Sequence, residues 1–138
     1  AALHAMVPRG RGYLLNVSSV AGFQATPGLG VYAATKSYVT SLSEALHAEV
    51  KDRGVHVTAL CPGLTRTEFQ AESDTDGFVE KLPGFAWTSA EMVAATGLAD
   101  VAANTTLSVP GVLYKGAVLA SDLLPRAVTR WASGTLSR

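Results

Sequence analysis

Apolar and polar positions change their period along the chain, and the changes mark its elements. Residues 1 to 7, AALHAMV, are helix formers that stop at Pro8, and the PRGRG around and after it is turn chemistry, so the chain opens on the last turns of a helix. Tyr13, Leu14, Leu15, Asn16 and Val17 form a short, mostly apolar run. Such a run predicts a strand buried on both faces in a parallel sheet, ending at Ser18 and Ser19. Val20 to Gly30 is a loop rich in Gly, Pro and Ala. From Gly30 to Asp52 the period becomes helical, with Val31, Ala34, Tyr38, Leu42 and Ala45 on one stripe and Tyr32, Val39, Leu46 and Val50 on another. Two apolar stripes ask for two partners, a sheet on one side and a second subunit on the other. Arg53 and Gly54 close that helix, and VHVTAL from Val55 to Leu60 predicts a second buried strand that ends at Cys61, Pro62 and Gly63.

The order strand, helix, strand argues for an α/β fold with a parallel sheet, in which sites form at the carboxyl ends of the strands. Ser19 and Pro62 fall at two such ends. From Arg66 to Ser89 the chain turns polar, with Glu68, Glu72, Asp74, Asp76 and Glu80 against Arg66 and Lys81, as in a substrate lid or a solvated linker. Ser89 is placed to cap a helix over Ala90 to Ala103, and Leu107, Ser108 and Val109 predict a last short strand. The tail from 121 to 138 is modestly basic and amphipathic, which fits a packed terminal helix better than a membrane contact. The chain thus divides into a sheet-forming part, residues 1–120, and this tail.

Composition narrows the function. Eleven Lys and Arg balance eleven Asp and Glu, so the net charge is zero and no field gathers nucleic acid. The stretch from Gly12 to Thr35 lacks charge but is broken by Asn16, Gln24, Pro27 and several glycines, so no transmembrane segment is expected. Cys61 is the single cysteine, and no Cys/His cluster has ligand spacing. A reducing, cytoplasmic setting without a metal site follows as the expectation, with Cys61 a packed thiol and His47 a helix-surface residue.

The candidate chemistry lies in Tyr32 and Lys36, four residues apart on one helix face. A phenol titrates near about 10, and a neighbouring ammonium favours the phenolate, so the pair suits a general acid/base at Tyr32. Ser19, at a strand end, can hydrogen-bond the same substrate oxygen. A Tyr and a Lys at this spacing are common by chance. The signal is the conjunction, in order and on the right elements, of Asn16-Val17-Ser18-Ser19, Tyr32-Ala33-Ala34-Thr35-Lys36 and Cys61-Pro62-Gly63.

With these markers the chain resembles the C-terminal part of a short-chain dehydrogenase/reductase, over residues 1 to about 120. The resemblance implies part of a Rossmann-type, doubly wound parallel sheet, and an enzyme that uses NADP or NAD. It implies that hydride moves between nicotinamide and a carbonyl/alcohol substrate, with Tyr32 as acid/base, Lys36 on the nicotinamide ribose and Ser19 on the substrate oxygen. Pro62 and Gly63 would flank the nicotinamide, and Thr65 and Thr67 match positions that contact its amide or nearby phosphate. Residues 66–88 would form the lid, whose Phe69, Phe78, Leu82, Phe85 and Trp87 suit a hydrophobic substrate. The helix over 30–52 would carry a homo-oligomer interface. The family's glycine-rich phosphate loop, its cofactor-selecting residue and its tetrad asparagine have no counterpart here; Asn16 lies inside a strand. These 138 residues alone are therefore expected to be inactive and to expose apolar sheet edges. Two alternatives stay open: a truncated, non-catalytic relative acting as an interaction module or surviving as a gene fragment, and a relative turned to epimerisation or dehydration.

Overall fold

A computed structural model of the chain describes residues 2–25, 27–66 and 83–124. Helix α1 spans Ala2–Arg9 and leads into strand β1, Gly12–Val17. The sequence pattern ends α1 before Pro8, but the helix runs one residue past it. Proline removes a single donor, and here the carbonyl left without that donor belongs to exposed His4, where water can serve it.

A 3₁₀ turn at Val20–Phe23 connects β1 to the long helix α2, Gly30–Val50. Strand β2 covers Val55–Leu60, the same six residues that the apolar run marks. Next come the two-residue strands β3, Thr65–Arg66, and β4, Thr88–Ser89. Helix α3 runs Ala90–Ala102, strand β5 is Leu107–Ser108, and helix α4 is Val112–Leu123. Ser89 caps α3 as its position suggests, accepting the Met92 amide at 3.1 Å. Helix α4 continues through residues 120 and 121, where the sequence pattern divides sheet-forming part from tail. Among the described residues no helix is long and apolar enough to cross a membrane.

The main sheet has the order β1-β2-β5 with every pair parallel. Its register sets Gly12 beside Val55 and Val17 beside Leu60, and Leu60 beside Ser108 on the other flank. Side chains alternate across a strand, so β2 presents alternate residues to two helices. Val55 and Val57 pack with Leu46 and Val50 of α2 and with Leu3, Met6 and Val7 of α1. On the opposite face Gly97 of α3 lies against Leu60 and Leu15. Helices on both faces of a parallel sheet make the doubly wound arrangement that the resemblance implies.

Two expectations about burial need correction. The central strand β2 is buried throughout apart from half-buried His56, but β1 is not buried on both faces, because Tyr13 and Val17 are 62% and 58% exposed. Helix α3 covers the middle of its face at Leu15 and leaves the two ends open. Tyr13 meets only the edge of His56, with ring centroids 5.1 Å apart. His47 is not a surface residue either. It is buried on the sheet-facing side of α2 with Thr40, Ser43 and Val50, and its Nδ1–H donates to the Val57 carbonyl at 2.9 Å. The apolar stripe that includes Val31, Tyr38 and Leu42 faces solvent instead.

Candidate active site

Parallel strands end together, and the carboxyl ends of β1 and β2 bring Ser19, Pro62 and Gly63 beside the first turns of α2. The Ser18 amide donates to the Leu60 carbonyl at 2.7 Å, and the Val20 amide to the Pro62 carbonyl at 3.0 Å, so the hydrogen-bond ladder extends past both strands. Ser19 caps the 3₁₀ turn, its Oγ accepting from the Ala21 amide at 3.2 Å and lying 3.5 Å from the Pro62 carbonyl. The second distance is long for a hydrogen bond. The cap holds this half-buried hydroxyl firmly, while its proton makes only the long contact to Pro62 and can turn to a closer acceptor.

Gly22 lets this turn touch α2. A Cβ there would stand 2.9 Å from the Lys36 carbonyl carbon and 2.9 Å from the Ser37 nitrogen, both backbone atoms. Two hydroxyls brace the same place from beneath. Ser18 Oγ donates to the Lys36 carbonyl at 2.7 Å and lies 2.7 Å from Thr40 Oγ1, both residues being buried. The sequence pattern that singles out Ser19 marks neither Ser18 nor Thr40. Strand alternation separates the two serines, and Thr40 lies one turn beyond Lys36, but nothing local to the sequence shows that they meet.

Tyr32 and Lys36 stand on the first two turns of α2, both half-buried. Lys36 Nζ donates to the Val17 carbonyl at the end of β1, at 3.1 Å, and lies 5.6 Å from the centroid of the Tyr32 ring. That distance is within cation–π range. Strand end and helix start are thus tied through the lysine, which sets Lys36 and Tyr32 at the end of β1, two residues before Ser19.

Gly63 follows Pro62 in the turn after β2, and the ring of Tyr114 from α4 occupies the volume that a Cβ at 63 would need. Thr65 turns its hydroxyl inward to the Gly63 carbonyl at 3.1 Å and to Thr88 Oγ1 at 3.2 Å. Thr67 lies outside the described residues, as do Phe69, Phe78 and Leu82 of the lid. The polar segment has a feature too short for periodicity to mark. Strands β3 and β4 pair in parallel and clasp its two ends, with the Thr88 amide on the Leu64 carbonyl at 2.9 Å. Phe85 beside that clasp is 77% exposed, and Trp87 has Arg66 over its ring at 6.0 Å.

Cys61 is fully buried under the site, 3.8 Å from Thr40 Oγ1, and burial pushes its thiol up from the ordinary value. A thiol so placed packs and does not attack, as the sequence suggests. Asn16 donates from Nδ2 to Ser43 Oγ at 2.9 Å, a use internal to the β1–α2 contact.

A family model described as short chain dehydrogenase matches residues 1–77. An uncharacterized oxidoreductase of Myxococcus xanthus is 38% identical over 74 residues, which are 54% of this chain and 29% of that protein. The oxidoreductase YbbO of Escherichia coli is 42% identical over 77 residues, 52% of this chain and 29% of its own length. Among solved structures, a short-chain dehydrogenase from Sphingobium yanoikuyae in complex with NADPH matches with a TM-score of 0.66 at 29% identity, covering 86% of this chain and 48% of that one. A 7β-hydroxysteroid dehydrogenase gives a TM-score of 0.78 over 96% of this chain and 51% of its own; at 21% identity it shows the fold alone. The chain spans under a third of these curated relatives and about half of these solved chains.

Proposed function

The chain belongs to the short-chain dehydrogenase family, and from that premise we propose that the protein containing it is an NAD(P)-dependent oxidoreductase that interconverts a carbonyl and an alcohol, with Ser19, Tyr32 and Lys36 as its catalytic residues. The observation that carries this reading is the position of Lys36 Nζ, fastened to the Val17 carbonyl and 5.6 Å from the Tyr32 ring, at the end of a parallel sheet where ligands bind.

The donor set fits a nicotinamide nucleotide. An ammonium has three protons, and among the described residues Nζ spends one, on Val17, and has no carboxylate partner. Two remain for the paired hydroxyls of a ribose. When bound, the cofactor supplies or accepts hydride at its nicotinamide ring. The chain's own groups handle the rest. Ser19 Oγ exchanges its long contact to Pro62 for the carbonyl oxygen, donates to it and polarises it; Tyr32 delivers the proton that turns this oxygen into an alcohol, and takes it back in the reverse direction. Pro62 and Gly63 would supply the wall beside the nicotinamide, with Thr65 next to them; the role of Thr67 rests on the sequence match.

Exposed Phe85 at the clasp of the polar segment supports a hydrophobic carbonyl substrate. The solvent-facing stripe of α2, with Val31 85% and Tyr38 66% exposed, supports self-association of the whole protein through that helix. The lone buried thiol of Cys61 fits a cytoplasmic setting.

Titrating the protein that contains this chain with NADH and NADPH, read by nicotinamide fluorescence, tests the reading. Saturable binding of one cofactor is expected. Lys36→Met loses a charged donor to the ribose and weakens binding at least about tenfold, since hydrogen bonds from charged groups contribute about 1.5–3 kcal/mol. No saturable signal with either cofactor would refute the reading and leave a non-catalytic relative in its place.

A further inference from the structure

We infer that Tyr114 is a positioning residue for the cofactor's nicotinamide end, acting through the turn Pro62–Gly63–Leu64 that it clamps. This rests on the function proposed above, which places that turn beside the nicotinamide. Tyr114 lies outside the span of the family match and carries no motif.

Its side chain makes three attachments. The ring fills the space over Gly63. The phenol oxygen accepts the Leu64 amide at 3.0 Å, and its proton goes to the Ala86 carbonyl at 2.6 Å. One hydroxyl thus ties the chain just before β3 to the chain just before β4. The ring is anchored in turn, packed against buried Ala59, Cys61, Val109 and Val118.

At Pro62 the turn is fastened to the β1 side by the Val20 amide; the other fastenings of Gly63 and Leu64 are local or belong to the clasp. The Gly63 carbonyl takes the Thr65 hydroxyl, and the Leu64 carbonyl takes the amide and the hydroxyl of Thr88. Neither holds the turn against the core. Among the described partners of Gly63 and Leu64, Tyr114 is the one that joins them to the buried cluster beneath the sheet's carboxyl edge, so the height of the Gly63 backbone over that edge follows the thickness of the Tyr114 ring. Its hydroxyl is already spent as donor and acceptor, which suits a brace and not a proton carrier. An aromatic ring wedged under a glycine has little freedom to shift, because close-packed surroundings transmit displacement.

Two readouts test this in the protein containing the chain: the fluorescence Kd for NADPH or NADH, whichever binds, and hydrogen exchange at the Leu64 amide. Tyr114→Phe keeps the ring and removes both hydrogen bonds. It is expected to lower Leu64 protection and to weaken cofactor binding about fivefold, the equivalent of one neutral hydrogen bond. Tyr114→Ala weakens binding further, and Lys115→Ala, on the exposed side of α4, serves as the reference for the helix itself. Should Tyr114→Ala fail to fold, Gly63→Ala moves the same ring from its seat and is expected to weaken binding in the same direction. Where Tyr114→Ala does fold, adding Gly63→Ala to it costs less than Gly63→Ala costs alone, as coupled neighbours do. Wild-type binding matched by Tyr114→Phe, with Leu64 protection unchanged, overturns the positioning role and leaves the function standing. Absence of cofactor binding in the wild type overturns both.

Discussion

Replacing Tyr32 by Phe in the protein that contains this chain is expected to lower turnover about 10²- to 10⁴-fold, the range for losing a positioned general acid/base. The ring itself stays. It keeps its place 5.6 Å from Lys36 Nζ and its half-buried packing on α2, so folding stability should change by no more than about 0.5 kcal/mol. Cofactor affinity, measured by the same fluorescence titration, should hold as well, because the ribose contact assigned to Lys36 is untouched. Lost turnover with retained affinity and retained urea midpoint separates a chemical role from a structural one. Retained turnover would remove Tyr32 from the site.

The second large effect is Gly22→Ala, a single methyl group added where the 3₁₀ turn meets α2. That methyl would meet the Lys36 carbonyl carbon and the Ser37 nitrogen at 2.9 Å, and backbone cannot rotate aside as a side-chain tip can. The 3₁₀ turn must lift from α2, and Ser19, which caps that turn, moves with it. Overpacking of this kind costs about 1–3 kcal/mol, read as a lower urea midpoint. A displacement near 1 Å between Ser19 and Tyr32 costs about 10²-fold in turnover. Gly116→Ala is the matched control, since a Cβ there meets nothing within 4 Å. In a helix interior that change should stabilise by up to about 1 kcal/mol and leave turnover alone. Equal behaviour of the two variants would show that the turn does not need its close approach.

What the sequence made legible was what short-range patterns encode. Strand β2 is a short, mostly apolar run, α2 has the helical period and a glycine at its close, and Ser89 stands one residue before a helix it caps. The motif residues Ser19, Tyr32 and Lys36 fall on the predicted elements because strand end and helix start are local features. Contacts across the chain left no such trace. His47 has polar and small neighbours, so apolar periodicity set it on the surface, while a hydrogen bond to Val57 holds it inside. The exposed ends of β1 depend on how far α3 reaches over it, which no property of GYLLNV encodes. Strands β3 and β4 are two residues each, below the length at which alternation can be read. Gly22 and Tyr114 each act on a partner brought close only by folding: Gly22 on the Lys36–Ser37 backbone, Tyr114 on Gly63 and Leu64 some fifty residues earlier.

Hydride transfer itself can be followed with deuterium at C4 of the reduced nicotinamide, supplied to the protein containing this chain with a hydrophobic ketone. If Ser19, Tyr32 and Lys36 work as proposed, the label appears on the carbinol carbon of the alcohol, the hydroxyl proton comes from solvent, and Tyr32→Phe forms labelled alcohol at least about a hundredfold more slowly. Alcohol formed without the label, or labelled alcohol formed equally fast by Tyr32→Phe, would contradict it.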